Sequence, residues 1–265
     1  MAAEDAAAPR ITVFRGWDAA GAHVWSPYVV KLEARLRFAG VPYTVSGGSL
    51  RAAPRGKIPY VEFRAEGSSA PAQRLGDSAL IARALVDRGV LPDLAAPLPP
   101  PRRALDLALR ALLEDKLYFY HTWERWFGNY YAMRDHVLAA VPYPVRVVVG
   151  YLVYRTVTAT LRGQGTLRFA PEEITAFRRE IWDGFSALLL ASRSESARGA
   201  AEPFWVLGGD QPTDADTTLF GFVVSVLVCT ACPDSQEVVK SFPVLLDYAS
   251  RIHDRYFPDY EKWTV

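Results

Sequence analysis

The chain has 265 residues, 50% of them hydrophobic, and its 30 basic and 29 acidic residues give a net charge of +1. This length suggests one or two domains, and the composition is ordinary for a soluble globular protein. The near-neutral charge excludes a strong attraction of the whole chain to nucleic acid or to anionic lipid, although it leaves local charged patches open.

The N-terminal stretch at 1–10 carries acidic residues and lacks a long apolar run, so we expect a disordered tail rather than a secretory signal. The apolar segment at 141–161 is interrupted by two prolines and two arginines. A membrane-spanning helix needs about 20 uninterrupted apolar residues, so this segment favours a buried helix instead. We therefore expect no stable membrane insertion.

Residues 11–92 mix short strand-like runs with helical patterns. The elements predicted in chain order are a strand at 11–17, a helix at 26–40, strands at 41–48, 58–65 and 73–77, and a helix at 78–89. In the first helix, apolar residues alternate with charged ones, which predicts an amphipathic helix. This β-α-β order followed by β-β-α predicts a small mixed sheet covered by helices.

Five prolines between 90 and 103 exclude a continuous helix, so we place an interdomain linker at 93–101. The remainder, 102–265, is helix-like almost throughout. The predicted helices are 102–120, 123–139, 145–161, 171–192, 213–228 and 243–256. Thr213 and Asp216 have the spacing of a capping box, which we assign to folding rather than to catalysis.

Three stretches suit a binding site, and each also has a purely structural interpretation. Pro59 is a candidate for a cis peptide bond that turns the backbone of Ile58 outward to pair with an extended peptide; a trans proline opening an edge strand is the alternative. Asp77 and Ser78 open a helix, where they either help to hold an anion or only cap the helix. Ser26 opens the first helix in the same way.

The order of these features resembles that of the glutathione transferases, in particular the branch with metaxins and failed-axon-connections (Fax) proteins. The similar stretches are "SPYVVKLEARLRFAGVPY", "PRGKIPYVEF", "GDSALI", "LRGQGTLRFAPEEI", "LGGDQPTDADTTLFGFV" and "FPVLLDYASRIHDRYFPDY". The resemblance extends over nearly the whole chain from about residue 11. It implies the glutathione transferase fold, an α/β thioredoxin-like domain at 11–92 followed by an all-α domain at 102–265, in a cytoplasmic homodimer with a role in detoxification.

The resemblance implies glutathione as co-substrate. The residues that it assigns to glutathione binding are Lys57, Ile58, Pro59, Asp77 and Ser78. The backbone at Ile58 and Pro59 would hold the cysteinyl part, and Asp77 with Ser78 would hold the γ-glutamyl end. Lys57 would meet the glycyl carboxylate, unless it is simply a solvated lysine.

Ser26 stands where related redox enzymes carry the first cysteine of a Cys-Pro-x-Cys motif, so no mixed disulfide can form on the protein at this site. A serine hydroxyl would instead stabilise the thiolate of glutathione, whose free thiol has a pKa of about 8.5. The reaction implied is conjugation to an electrophile or peroxide reduction. The alternative is that the hydroxyl only caps the helix, bonded to the N–H of Tyr28 or Val29.

Aromatic residues crowd the stretch "LYFYHTWERWFGNYYA". At helical spacing they form either core or the wall of an apolar second-substrate pocket for a small apolar or aromatic electrophile. We assign Tyr28, Tyr120 and Trp123 to such a pocket. Two other functions stay open: a catalytically silent Fax- or metaxin-like binding or scaffold protein, and a ligandin that stores aromatic molecules.

Cys229 and Cys232 are the only cysteines, which excludes a disulfide framework and favours a reducing compartment. Their spacing is that of a redox motif, but they follow an apolar helix instead of the first strand, so we interpret them as structural. The four histidines show no metal-ligand spacing, and no metal is expected. Nucleic acid is not expected as a partner.

Overall fold

The computed structural model describes residues 9–65, 67, 70–195, 199 and 202–264. The four strands of its mixed sheet are β1 (Arg10–Phe14), β2 (Thr44–Ser46), β3 (Tyr60–Arg64) and β4 (Gln73–Gly76), in the order β2-β1-β3-β4. The helix α1 (Pro27–Phe38) joins the parallel pair β1 and β2, whereas β3 runs antiparallel to both β1 and β4. The helix α2 (Ser78–Asp87) follows β4. This element order is the predicted one.

Residues 1–8 of the tail predicted at 1–10 lie outside the described residues. Arg10 already pairs with Arg64 in the sheet.

The second part of the chain is helical. Its helices are α3 (Pro100–Leu112), α4 (Tyr118–Trp123), α5 (Tyr130–Val137), α6 (Val145–Gln164), α7 (Pro171–Glu195), α8 (Asp214–Leu227), α9 (Pro233–Lys240) and α10 (Pro243–Tyr256). Two π-helical turns, Leu113–Leu117 and Glu124–Gly128, flank α4. The helix α3 begins two residues earlier than predicted, because prolines suit the first helical turn. The short α9 was not predicted, since eight residues give too little periodicity.

The amphipathic pattern predicted for α1 is wrong, because the helix is buried on both sides. Leu32 and Leu36 pack in the core of the sheet, whereas Val29 and Val30 belong to the core of the helical part. Three of the four charged side chains of α1 are buried as well and take part in ion pairs. These pairs are Lys31 with Glu114, Glu33 with Arg15, and Arg35 with Asp214.

The helix α8 forms the centre of the second part, and every residue after Asp214 is buried. Its start has the predicted capping box, in which the N–H of Thr213 donates to Asp216 Oδ2 at 2.8 Å. The helix α1 packs directly on α8. This contact joins the α/β part to the helical part.

The segment predicted as a buried helix at 141–161 is helical, but its burial was predicted wrongly. In α6 only Gly150 and Leu161 are buried. Apolar composition alone does not separate a core helix from one with an exposed apolar face, which explains the error. None of the helices in the described ranges is both long and apolar enough to cross a membrane.

Candidate functional site

The register of the sheet brings three separate stretches of the chain to one edge. Phe14 pairs with Tyr60, and Tyr60 pairs with Gly76, so β1 ends, β3 begins and β4 ends on one line across the sheet. The loop that leads to α1 leaves β1 there. Pro59 directly precedes β3, and Asp77 directly follows β4. Residues far apart in sequence therefore meet at a single edge.

The peptide bond between Ile58 and Pro59 is cis, which confirms that prediction. Gly16, in the loop after β1, comes so close that a Cβ there would lie 2.4 Å from Ile58 Cδ1. The φ of Gly16 is also +83°, a left-handed conformation that favours glycine. The first loop and the cis-proline segment are thus in direct contact.

Asp77 has a φ of +77°, and it is the one non-glycine residue in the described ranges with a positive φ. Such strain tends to occur at functional sites. One oxygen of its carboxylate, Oδ1, accepts hydrogen bonds from the N–H groups of Ala79 at 3.0 Å and Leu80 at 3.1 Å. Asp77 therefore caps α2 and already occupies two of its free N–H groups. The N–H and the hydroxyl of the buried Ser78 have no partner among the residues that the structure describes, so they are available to a ligand.

Ser26 lies at the N-terminus of α1 in an extended conformation, with φ −87° and ψ 115°. Its hydroxyl forms no capping hydrogen bond, so the capping role that the sequence left open is not used. Its carbonyl accepts the N–H of Val30 at 3.2 Å. The half-buried hydroxyl is therefore held at a helix N-terminus without a partner among the residues that the structure describes.

Arg125 fixes the backbone next to Ser26. Its guanidinium donates to the carbonyl of Trp25 at 3.0 Å and to that of Ser225 at 3.1 Å. The ring of Trp25 stacks on His136, with 3.5 Å between the ring centroids. The π-helical turn Glu124–Gly128 contains the buried Arg125. No motif in the sequence indicated this role, because it depends on a contact between residues 100 positions apart.

The C-terminal segment holds the same loop from the other side. Ala22 forms a parallel bridge with Glu261, and the N–H of Glu261 donates to the carbonyl of Gly21 at 2.7 Å. Arg15 donates to the carbonyls of Ala19 and Ala22. The loop before Ser26 is therefore held both by Arg15, directly after β1, and by the C-terminal segment at Glu261.

A cationic loop lies beside the site. Lys57 is exposed and precedes the cis peptide bond. Arg55, which the sequence analysis did not single out, lies next to Gly76: an added Cβ there would be 3.5 Å from Arg55 Cγ. The signal for Arg55 was its position in the basic run between Arg51 and Lys57. Both Arg55 and Lys57 are thus available to an anion at this edge.

Of the three aromatic residues predicted to form a pocket, Tyr28 and Tyr120 contact different parts of the protein. Tyr28 contacts Tyr118 edge to face, and its hydroxyl donates to the carbonyl of Glu114 at 3.4 Å. Burial raises the pKa of Tyr28 above its usual value. Tyr120 instead stacks on Phe177 of α7 and lines a cavity of about 370 Å³ between α3 and α7.

Trp123 is half-buried and packs against the helical core. Among the predicted pocket residues, only Tyr28 belongs to the first turn of α1, directly after Ser26 and Pro27. The sequence analysis chose Tyr120, but Tyr118 is the residue that contacts Tyr28. The helical period could have distinguished the two, because residues two apart point to nearly opposite sides of a helix.

Cys229 and Cys232 are reduced and fully buried. The guanidinium of Arg125 donates to Cys232 Sγ at 3.9 Å. The pKa of Cys229 is lowered to about 7, because the hydrogen bond with Cys232 and the charge of Arg125 outweigh the opposing effect of burial. Arg125 therefore contacts both the backbone before Ser26 and the thiol of Cys232.

Solved structures with a similar fold are glutathione transferases. A glutathione transferase family member from Pseudomonas fluorescens, solved with two glutathione bound, covers 96% of this chain and 92% of its own, with 14% identity and a TM-score of 0.56. A glutathione S-transferase from Rhodospirillum rubrum covers 97% and 93%, with 14% identity and a TM-score of 0.54. These identities establish the shared fold alone, and they confirm the predicted fold class.

A family model described as the glutathione S-transferase N-terminal domain matches residues 27–133. The failed axon connections protein of Drosophila melanogaster is 23% identical in an alignment 259 residues long that covers 89% of this chain. The comparisons thus agree with the resemblance to glutathione transferases, and to the Fax proteins among them, that the sequence motifs predicted. The chain spans 56% of the length of the Drosophila protein.

Proposed function

We propose that this glutathione S-transferase-like chain binds glutathione at the sheet edge described above and stabilises its thiolate with Ser26. The observation that carries the proposal is the hydroxyl of Ser26, which stands at a helix N-terminus without a capping hydrogen bond. The reaction proposed is conjugation of glutathione to an electrophile, or peroxide reduction with glutathione as the donor. The protein acts in the cytoplasm as a homodimer in this proposal.

Each part of glutathione has a partner of suitable chemistry in this arrangement. The backbone N–H and C=O of Ile58, before the cis proline, suit an antiparallel pairing with the cysteinyl residue. The N–H and hydroxyl of Ser78 suit the γ-glutamyl carboxylate, and the free oxygen of Asp77 suits its ammonium group. The exposed side chains of Arg55 and Lys57 suit the glycyl carboxylate.

The serine acts on the protonation of the bound thiol. A free thiol has a pKa of about 8.5, so little of it is thiolate at neutral pH. A hydrogen bond to a charged acceptor is worth roughly 1.5–3 kcal/mol, which corresponds to about one to two pKa units. The positive end of the α1 dipole acts in the same direction. Together they favour the thiolate, which then forms a carbon–sulfur bond with the electrophile.

The electrophile site in this proposal lies at Tyr28 and Tyr118, where α1 meets the helical part. Tyr120 is left out of it, because its ring faces α7. Trp123, which is half-buried, keeps the role of a wall residue that the sequence analysis assigned to it. Apolar rings of this kind suit a flat, apolar or aromatic electrophile.

The test measures the thiolate of bound glutathione by its ultraviolet absorbance as a function of pH, in the wild type and in Ser26→Ala. The proposal predicts that the bound thiol titrates about one to two pH units higher in Ser26→Ala, while glutathione still binds. Ser241→Ala, at the distant end of α9, serves as the matched control and is expected to behave like the wild type. Equal thiol pKa values in Ser26→Ala and the wild type would exclude Ser26 as the activating group.

A further inference from the structure

The helix α6 exposes an unusually large apolar face. Tyr143, Val145, Val148, Tyr151 and Leu152 each leave between 53% and 70% of their surface exposed. Spacings of three and four residues place the members inside the helix on one side of it. An apolar patch of this extent on a protein surface marks an interaction site.

The composition and the packing of α6 both indicate that this helix is weakly stabilised by itself. Nine of its twenty residues are the β-branched Val or Thr, which have low helix propensity. Only Gly150 and Leu161 are buried against the rest of the protein. Since most helical stability in proteins comes from packing of an apolar face, this helix lacks a partner for most of its apolar surface.

The charged residues of α6 itself, Arg146, Arg155 and Arg162, have one sign, and of these Arg146 pairs with Asp135 of α5. The sequence contains no acidic residue from 136 to 171, although acidic and basic residues are balanced in the whole chain. Arg155 and Arg162 continue the apolar face towards the C-terminal end of α6, and both are exposed. Neither has an ion-pair partner among the residues that the structure describes. Long arginine side chains can keep their charge in a polar layer while their stems lie on apolar surface.

The threonine hydroxyls of this helix are satisfied within it. The hydroxyls of Thr156, Thr158 and Thr160 donate to the carbonyls four residues earlier, at 3.1, 2.8 and 3.0 Å. These hydroxyls therefore do not oppose the transfer of the helix to an apolar surrounding. Exposed tyrosines such as Tyr143 and Tyr151 suit the boundary between an apolar and a wet layer.

We propose that α6 lies flat on the surface of a membrane that contains anionic lipids, with its apolar face in the boundary between headgroups and acyl chains. A helix with an exposed apolar face, unpaired arginines and no acidic residue has the chemistry of an interfacial helix. The arginines bind the anionic headgroups, and the valines, Leu152 and the tyrosines enter the apolar layer. The helix does not span the membrane.

A second copy of the chain fits this face less well. In a two-fold dimer the face would meet itself, and the partner's segment 136–171 would bring no acidic residue to Arg155 and Arg162. A lipid surface supplies the missing negative charges. Charge complementarity therefore selects the membrane surface as the occupant.

The test is sedimentation of the full chain with vesicles of phosphatidylcholine alone or of phosphatidylcholine mixed with phosphatidylserine. We expect binding to the mixed vesicles that weakens with added salt. The double variant Val148→Ser/Leu152→Ser should bind about a hundredfold more weakly, at about tenfold for each side chain. Arg155→Gln/Arg162→Gln, which leaves the apolar face intact, should lose about fivefold for each arginine.

Leu107→Ser is the matched control, because Leu107 is equally exposed, on α3, and lies outside the patch. It should bind vesicles like the wild type. Absence of wild-type binding to the mixed vesicles would overturn the proposal, as would equal binding by Val148→Ser/Leu152→Ser. A dimer that dissociates in this double variant, without vesicle binding by the wild type, would assign the face to a second copy instead. Failure of glutathione binding would leave this proposal unaffected.

Discussion

Glu33 is a carboxylate in the middle of α1 with no exposure to solvent. Its Oε1 accepts the hydroxyl of Tyr260 at 2.9 Å and lies 3.3 Å from Nε of Arg15. These partners come from the first loop and from the C-terminal segment. A single side chain thereby links both segments that hold the loop before Ser26.

The protonation of Glu33 gives a prediction for stability against pH. Burial raises the pKa of Glu33 from 4.5 to about 6, although Arg15 and Tyr260 act in the opposite direction. The folded state then binds more protons than the unfolded state between these pH values, so stability falls as the pH rises through this range. Relative to Glu33→Gln, which does not titrate there, the wild-type free energy of unfolding should fall by about 2 kcal/mol.

Urea unfolding of both proteins measures this difference. The measurements run from about pH 4 to about pH 7, which brackets the titration of Glu33. A wild-type stability that instead rises relative to Glu33→Gln over the same range would contradict the prediction. It would mean that the ion pair with Arg15 outweighs burial.

At the residue scale, the sequence indicated where the candidate site residues lie in their elements, but it said less about their hydrogen bonds. Local preferences marked Ser26, Asp77 and Ser78 as helix starts and Pro59 as a turn, and the resemblance to glutathione transferases assigned them to one site. The sequence did not decide whether Ser26 caps its helix, since that depends on the orientation of one hydroxyl. It also gave no sign of Arg125, whose partner Trp25 is remote in sequence.

At the scale of elements, the contact of α1 with α8 sets the position of Ser26. A Cβ on Gly221 of α8 would lie 2.5 Å from the carbonyl oxygen of Pro27 and 2.9 Å from the N of Lys31. Both are backbone atoms in the first turns of α1, directly after Ser26. The absence of a side chain at Gly221 is therefore what allows the two helices to approach.

Gly221→Ala should destabilise the protein by about 2 kcal/mol, because backbone must move to admit the methyl group. Gly184→Ala is the matched control, since a Cβ there meets no atom within 4 Å and alanine is the better helix former. Chemical denaturation of both variants measures the effect. Equal stability of Gly221→Ala and the wild type would show that the helices are not in close contact.

The elements themselves were largely predictable, because helix periods, caps and glycine stops are local signals. Two errors have a common cause. The burial of α1 was predicted from its residue pattern and that of α6 from its composition. In the structure, a second layer covers α1, whereas α6 is mostly exposed. Which face of a helix is covered depends on the packing of distant elements, and a single sequence does not contain that information directly.

At the scale of the whole molecule, the two parts of the chain are interlocked rather than merely linked. The ion pairs of Lys31 with Glu114 and of Arg35 with Asp214 cross from α1 to the helical part. Arg37 pairs with Asp259 near the C-terminal end. The fold predicted from motif order agrees with the fold observed, since six motifs in order constrain a topology more strongly than any one of them.

The central claim is that glutathione binds at the edge formed by Ser26, the cis Pro59 and Ser78. Isothermal calorimetry with glutathione on the wild type, Ser78→Ala and the control Ser241→Ala tests it most directly. We expect binding in the micromolar-to-millimolar range by the wild type and the control, weakened at least about tenfold in Ser78→Ala. No binding by the wild type, or equal binding by Ser78→Ala, would contradict it.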